Sequence, residues 1–186
     1  GGISSNTELN FTAVAPSPTP VIPTSLPVPT VGGTLNAING SSRANTLNGT
    51  SNNDLISGKA GNDKLNGAAG HDTLDGGSGS DTFKWELNDQ GTVANPAVDV
   101  IKDYSSATIA NGGDVLDLKS LLINETDGTL SQYLNFSKDG NNTVIQVSTT
   151  GNVAGGFDQK IVLENVDLTN NGANNTAAII DDMLKK

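Results

Sequence analysis

The sequence repeats every nine residues between Gly40 and Lys84, and this period constrains the fold more than any other feature. Five consecutive units read GSSRANTLN, GTSNNDLIS, GKAGNDKLN, GAAGHDTLD and GGSGSDTFK. Glycine holds position 1 of every unit, and position 6 is Asn45 in the first unit and aspartate in the other four. Position 8 is always apolar: Leu47, Ile56, Leu65, Leu74 and Phe83. Since nine is not a helical period, each unit predicts a turn followed by a short strand with one inward apolar residue.

Two such units would make one coil of about 18 residues, and successive coils would stack at the interstrand spacing of roughly 4.8 Å. Glycines at positions 1 and 4 are expected to allow positive φ angles and close backbone approach in the turns. Turns two units apart then share an edge, with Asp54 over Asp72 on one edge and Asn45, Asp63 and Asp81 on the other. Stacked carboxylates repel unless a cation lies between them. Calcium suits this gap better than magnesium, because it accepts six to eight oxygen ligands in flexible geometry.

The repeat is similar to the RTX nonapeptide GGxGxDxUx, and this resemblance implies a calcium-bound parallel β-roll. In that family, carbonyls at positions such as 1, 2 and 4 complete the coordination. The resemblance therefore implies side-chain ligands from the position-6 residues and backbone ligands from Gly58, Gly61, Gly67, Gly70, Gly76, Gly77 and Gly79. We expect about three to four ions, counted from adjacent turns on the same edge. The pairs Asp63/Asp81 and Asp54/Asp72 are the best sites, because Asn45 brings no charge.

The composition is consistent with a chain that needs a bound ion to fold. The chain of 186 residues has a formal net charge of −10, which argues against nucleic acid as a partner. Only 34% of its residues are hydrophobic and 4% aromatic, close to the composition of chains that stay disordered without a further stabiliser. Calcium that binds only the folded state would supply that stabilisation. Cysteine is absent, which excludes disulfides and thiolate metal sites.

The sequence divides into three regions. Residues 1–30 contain six of the seven prolines, which favours an extended linker. Residues 31–84 are the repeat region, with 31–39 as a degenerate lead-in coil. Residues 85–186 are expected to form a small β-rich cap on the open end of the roll. No stretch is apolar enough to span a membrane, and no signal peptide is visible, so we expect the sequence to be a fragment of a longer chain.

The cap region predicts five short strands and one helix. The strand-like runs are Val98–Tyr104, Asp114–Leu118, Tyr133–Ser137, Thr143–Ser148 and Lys160–Val166. The best helix is Asn174–Lys186, capped by Asn175 or Thr176. Four aspartates of this region either bind a further ion beside the last coil or cap turns: Asp99, Asp103, Asp114 and Asp117. The predicted fold is thus all-β, a parallel β-roll followed by a small β-rich cap and a short C-terminal helix.

The tail carries a second resemblance. The segments DVIKDYSSATIANGGDVLDLKSLL, LSQYLNFSKDGNNTVIQV and DQKIVLENVDLT resemble the C-terminal type I secretion target domain of large RTX adhesins. In that family an inner-membrane ABC transporter reads the C-terminal region, and the chain leaves the cell C-terminus first. The resemblance implies a monomeric, non-catalytic module on the bacterial cell surface or in the medium. Its partners would be that transporter and, through the linker, upstream adhesin domains.

Two other function classes are typical of chains with such repeats. The module could be the tail of an extracellular protease or lipase, although the sequence contains no HExxH zinc motif and no GxSxG nucleophile elbow. It could instead be a ligand-binding β-solenoid. The outward positions 5 and 7 form no repeated face, which argues against that function. A flexible Gly/Asn/Asp-rich linker is disfavoured by apolar residues that stay in register through five units.

Overall fold

The computed structural model describes residues 35–125 and 129–184, all within one compact unit, Val31–Lys186. The predicted proline-rich linker, residues 1–30, lies outside the described residues. Within the described part, no helix is long and apolar enough to cross a bilayer.

The repeat region forms two parallel sheets whose strands alternate along the chain. The strands are β1 (Asn36–Asn39), β2 (Thr46–Asn48), β3 (Asp54–Ser57), β4 (Lys64–Asn66), β5 (Thr73–Asp75) and β6 (Thr82–Lys84). One sheet contains β1, β3 and β5 and the other contains β2, β4 and β6, with every neighbouring pair parallel. Leu55 pairs with Thr73 and Lys64 with Thr82, so each strand aligns with the strand two units later. The parallel β-roll predicted from the period is therefore confirmed.

The position-8 residues form the core of the roll. Ile56, Leu65, Leu74 and Phe83 are fully buried and belong to one hydrophobic cluster that continues into the tail. Because side chains of a strand alternate between faces, Leu55 points outward beside Ile56 and is 46% exposed. Ile38, which precedes the five units, pairs with Ile56 and packs against the same cluster.

The turns of the last three units have positive φ at positions 2 and 4. The residues are Lys59, Gly61, Ala68, Gly70, Gly77 and Gly79, with φ between 64° and 144°. The expectation of positive φ at position 1 was wrong. Glycine is needed there for space, because a Cβ on Gly67 would overlap Oδ2 of Asp72, and a Cβ on Gly58 would overlap Oδ2 of Asp63.

The two sheets continue past the repeats. Strand β7 (Ala97–Ile101) pairs in parallel with β5, and β8 (Val115–Asp117) pairs in parallel with β6. The connecting segments are longer than a repeat turn and include a 3₁₀ turn at Ile109–Asn111. Trp85, which follows the last repeat, is buried beside Phe83 in the common cluster.

The cap extends one of the roll's own sheets. Strand β11 (Gln159–Leu163) pairs in parallel with β7, and β10 (Asn142–Val147) and β9 (Leu134–Asp139) follow as antiparallel neighbours. The first sheet therefore has seven strands in the order β1-β3-β5-β7-β11-β10-β9, and the second has four, β2-β4-β6-β8. A strand overlaps each of the five strand-like runs predicted from the sequence, although only β8 lies wholly within its run.

Two α-helices border the cap. Helix α1 (Leu130–Tyr133) leads directly into β9, and α2 (Thr176–Leu184) lies within the predicted C-terminal helix. The Asn175 side chain accepts the Ala178 N–H at 3.0 Å and caps α2 as predicted. Ile179 is buried in the common cluster, and Oγ1 of Thr176 accepts the Phe136 N–H of β9 at 3.1 Å. These contacts attach the helix to the cap.

We predict that Ile56→Ala destabilises the calcium-loaded protein and that Leu55→Ala does not. Deleting a fully buried side chain removes its packing and leaves a cavity, which costs about 2–5 kcal/mol, whereas an exposed site costs about 0.5 kcal/mol or less. Urea unfolding of both variants at saturating calcium measures the difference. Equal losses at these adjacent positions of β3 would contradict the placement of the core.

We predict that Gly79→Ala disrupts the turn, with Gly140→Ala as the matched control. Both glycines have positive φ, but a Cβ on Gly79 would overlap the Gly61 carbonyl, whereas a Cβ on Gly140 meets nothing within 4 Å. Left-handed strain costs about 1–2 kcal/mol at either site, and overpacking adds about 1–3 kcal/mol at Gly79 alone. Urea unfolding should show the larger loss for Gly79→Ala, and equal losses would rule out close stacking of the turns.

Candidate metal centre

Main-chain hydrogen bonds stack the position-6 side chains along the two edges of the roll. The Asp54 N–H donates to Oδ1 of Asp72 at 2.8 Å, and the Asp63 N–H donates to Oδ1 of Asp81 at 2.7 Å. On the same edge as Asp63, the Asn45 N–H donates to Oδ1 of Asp63 at 2.6 Å. Each bond joins residues 18 positions apart, as the sequence period predicts. The structure thus brings the predicted position-6 residues into two ladders.

Both ladders gain one more rung from the tail. The Asp72 N–H donates to Oδ1 of Asp99, and the Asp81 N–H donates to Oδ1 of Asp114, each at 2.8 Å. These rungs join residues 27 and 33 positions apart, so the nine-residue period could not identify them. The residues were predicted to bind an ion or cap turns, but their place in the ladders was missed.

The second carboxylate oxygen of three aspartates has no hydrogen-bond partner among the described residues. Oδ2 of Asp63, Asp72 and Asp81 is buried and accepts no hydrogen bond, although each residue is only 1% exposed. Leaving a buried acceptor unsatisfied costs about 1–3 kcal/mol, and more for a charged group. These three oxygens are the strongest indication in the described residues that a ligand belongs in the turns.

Main-chain carbonyls approach the turns of the next coil, and one lies beside a partnerless carboxylate oxygen. The space in front of the Gly58 Cα is lined by Oδ2 of Asp63 and by the Gly76 carbonyl of the following coil. The Lys59 and Gly61 carbonyls approach Gly77 and Gly79, and the Asn52 carbonyl approaches Gly70. Stacking therefore brings main-chain and carboxylate oxygens of successive coils together. The glycines proposed as backbone ligands all lie in these turns, and their individual roles as ligands stay predictions.

Burial raises the pKa of four ladder carboxylates, Asp72, Asp81, Asp99 and Asp114, so that their anions are unfavourable without a cation. Burial, followed by the neighbouring charges of Asp99 and Asp54, raises the pKa of Asp72 to about 8. Burial, with the charges of Asp114 and Asp63, raises the pKa of Asp81 to about 6. Burial likewise raises the pKa of Asp99 to about 6 and that of Asp114 above its usual value. A divalent cation would counter both burial and mutual repulsion.

The available donors fit calcium. Within residues 35–125 and 129–184, no three His, Cys, Asp or Glu side chains converge to hold a metal. An ion in the turns would therefore bind one or two carboxylates and several main-chain carbonyls. Calcium accepts such a set of six to eight oxygens, whereas zinc prefers nitrogen and sulfur ligands. The residues present are consistent with the calcium predicted from the sequence.

The further candidates Asp99 and Asp103 already accept hydrogen bonds at both carboxylate oxygens. Oδ2 of Asp99 accepts the Trp85 Nε1–H at 2.7 Å and the Gln159 Nε2–H at 2.8 Å. Asp103 accepts the main-chain N–H groups of Gly76 at 3.0 Å and Gly77 at 2.5 Å. Both residues therefore terminate the stack of turns, and ion binding by them stays a prediction.

A main-chain contact holds His71, which occupies position 5 of its unit. Its Nδ1 accepts the Val98 N–H of the next coil at 2.9 Å, and the residue is partly buried. The nine-residue period could not identify this contact, because Val98 follows a loop outside the repeat. Asp117 accepts the Lys119 N–H at 3.3 Å in an exposed turn.

The repeat region matches a family of known repeats. A family model described as the RTX calcium-binding nonapeptide repeat matches residues 35–63 and 48–83, in four copies. A comparison with curated proteins found no match.

Among solved structures, the chain is similar to two subunits of the mannuronan C5-epimerase of Azotobacter vinelandii. Identity to the AlgE6R3 subunit is 28%, over 75% of this chain and 84% of that one, with a TM-score of 0.43. Identity to the AlgE6R2 subunit is 26%, over 76% of this chain and 89% of that one, with a TM-score of 0.45. Since both TM-scores are below 0.5, the assignment depends on the repeats and their geometry. Residues 35–83 of this chain form an RTX calcium-binding nonapeptide repeat region, folded as part of a parallel β-roll.

Proposed function

We propose that the chain is a non-catalytic, calcium-dependent folding module at the C-terminal end of a secreted bacterial surface adhesin. The observation that carries this proposal is the set of three buried, partnerless carboxylate oxygens on Asp63, Asp72 and Asp81. A fold that buries such groups is penalised until a cation reaches them. One ion beside each oxygen gives about three ions, the lower end of the range counted from adjacent turns on the same edge.

The calcium concentration would decide where the module folds. Extracellular calcium modules have dissociation constants of about 10⁻⁴ to 10⁻³ M, far above cytosolic free calcium. The repeats would then stay unfolded inside the cell, as passage through a narrow export channel requires. Outside, calcium would bind the aspartate ladders and fold the roll. Folding on the outer side would oppose backward movement of the chain and so favour export.

The tail supplies the second half of the proposal. Residues 99–169 resemble a type I secretion target domain, and α2 lies close to the end of the chain. We assign recognition by an ABC transporter to this C-terminal region, with export beginning at the C-terminus. The linker of residues 1–30 would join the module to upstream adhesin domains, and the module itself would be monomeric and extracellular.

We predict that the purified chain folds cooperatively on calcium addition. Far-UV circular dichroism from chelator to ~10 mM calcium, a range set by extracellular affinities, should show a coil-to-β transition that magnesium does not produce. Asp63→Asn/Asp81→Asn should shift the midpoint about tenfold or more upward, because it removes the charge from two adjacent turns of one ladder. Asp139→Asn, at the end of β9, is the matched control and should leave the midpoint unchanged. A chain already folded in chelator would contradict the proposed switch.

Export can be tested separately. A passenger protein joined before Gly1 should be secreted by cells that carry a type I transporter and retained when residues 174–186 are deleted. Removing calcium from the medium should lower the secreted yield of the intact fusion. Secretion that is unaffected by both changes would contradict the transporter assignment while leaving calcium binding in place.

A further inference from the structure

The first two repeat turns have a different conformation from the last three. Positions 2 and 4 are Ser41 and Arg43 in the first unit and Thr50 and Asn52 in the second. These four residues are not among those with positive φ, whereas both positions are left-handed in each of the last three units. Position 4 is glycine in those last three units, and only glycine adopts such φ values at little cost.

In these first two turns the position-2 hydroxyl group donates a hydrogen bond to an oxygen of the position-6 side chain, and we call these turns closed. In the last three turns Oδ2 of the position-6 aspartate accepts no hydrogen bond, and we call them open. The Thr50 N–H donates to Oδ2 of Asp54 at 2.5 Å, and the Thr50 hydroxyl donates to the same oxygen at 3.1 Å. The Asn52 N–H in turn donates to Oγ1 of Thr50 at 3.2 Å, which fixes the hydroxyl in place.

The preceding turn repeats the same three hydrogen bonds. Ser41 donates its N–H at 2.6 Å and its hydroxyl at 3.1 Å to Oδ1 of Asn45, and the Arg43 N–H donates to the Ser41 hydroxyl at 3.2 Å. A neutral amide oxygen thus serves the closed turn as well as a carboxylate does. The arrangement does not require charge at position 6.

The closed turn of Asp54 and the open turns differ in the hydrogen bonds that the same atom, Oδ2 of the position-6 aspartate, accepts. Oδ2 of Asp54 accepts two hydrogen bonds, while Oδ2 of Asp63, Asp72 and Asp81 accepts none. A donated hydrogen and a calcium ion compete for the same oxygen lone pairs. We infer that Thr50 and Ser41 exclude calcium from Asp54 and Asn45, so that ions bind only at the three open turns and the first two turns form a calcium-independent end of the roll.

This inference rests on the proposed calcium binding and changes which position-6 residues are assigned as calcium ligands. The sequence predicted Asp54/Asp72 as one of the two best sites, whereas the closed turn removes Asp54 as a ligand. Asp63/Asp81 is then the one same-edge repeat pair, among the described turns, in which both members are open. The intramolecular donors also stabilise the end of the roll where β1 and β2 each pair with a single neighbour.

Isothermal titration calorimetry of the full chain with calcium alone distinguishes Asp54→Asn from Asp72→Asn. Asparagine keeps an oxygen for Thr50, as Asn45 does for Ser41, so Asp54→Asn should keep the wild-type number of ions and an affinity within about twofold. Asp72→Asn should lose one ion or weaken its binding about tenfold or more. An equal loss in both variants would overturn this inference alone. A wild-type chain that binds no calcium would instead overturn the proposed function.

The reverse experiment opens the closed turn. Thr50→Gly/Asn52→Gly places glycine at positions 2 and 4, as Gly77 and Gly79 do in the last unit, and removes the hydroxyl. The variant should bind one ion more than the wild type, while Thr50→Ser keeps a hydroxyl and should bind the wild-type number. Circular dichroism at saturating calcium verifies folding of each variant. An unchanged number of ions in the folded glycine variant would overturn the role assigned to Thr50.

Discussion

The hydrogen bond from each position-6 N–H to the aspartate Oδ1 of the next coil is the interaction on which the structure depends. It fixes the register between successive coils, because each carboxylate accepts a hydrogen bond from the main chain of the residue 18 positions earlier. The same bond buries the carboxylate and places its other oxygen in the turn. Stacking and the need for a cation are therefore two consequences of one contact. A variant that keeps this register can avoid the repulsion between buried carboxylates only if the aspartate itself is replaced.

The core of the roll is thin, which makes this polar scaffold more important. Each repeat contributes one inward side chain, so a coil buries only two, such as Leu65 and Leu74. Burial of so few apolar side chains offsets only part of the conformational entropy that is lost when nine residues per unit become ordered. The hydrogen bonds between turns and the larger cluster around Trp85 add to the stability of the roll.

The sequence predicted those parts of the structure that depend on local period. Position 8 predicted the buried side chains, and position 6 predicted the ladders, because both follow from a repeat that each unit carries in itself. The rungs at Asp99 and Asp114 could not be predicted, since loops outside the period change the spacing to 27 and 33 residues. The closed turn at Thr50 was also missed, because the sequence shows a hydroxyl but not which oxygen it meets. His71 shows the same limit, as its partner Val98 lies beyond the repeat.

The parallel pairing of β11 with β7 determines the order in which the module can assemble. Leu163 lies opposite Ile101, so this pair closes only after the whole intervening chain is available. The hairpins that join β9, β10 and β11 are local by comparison and can form first. If the chain emerges C-terminus first, this hairpin sheet is outside before any repeat and offers β11 as a free edge. Strand β7 would add to that edge, and β5, β3 and β1 would follow in turn. The cap would then act as a template from which the roll grows towards its N-terminal end.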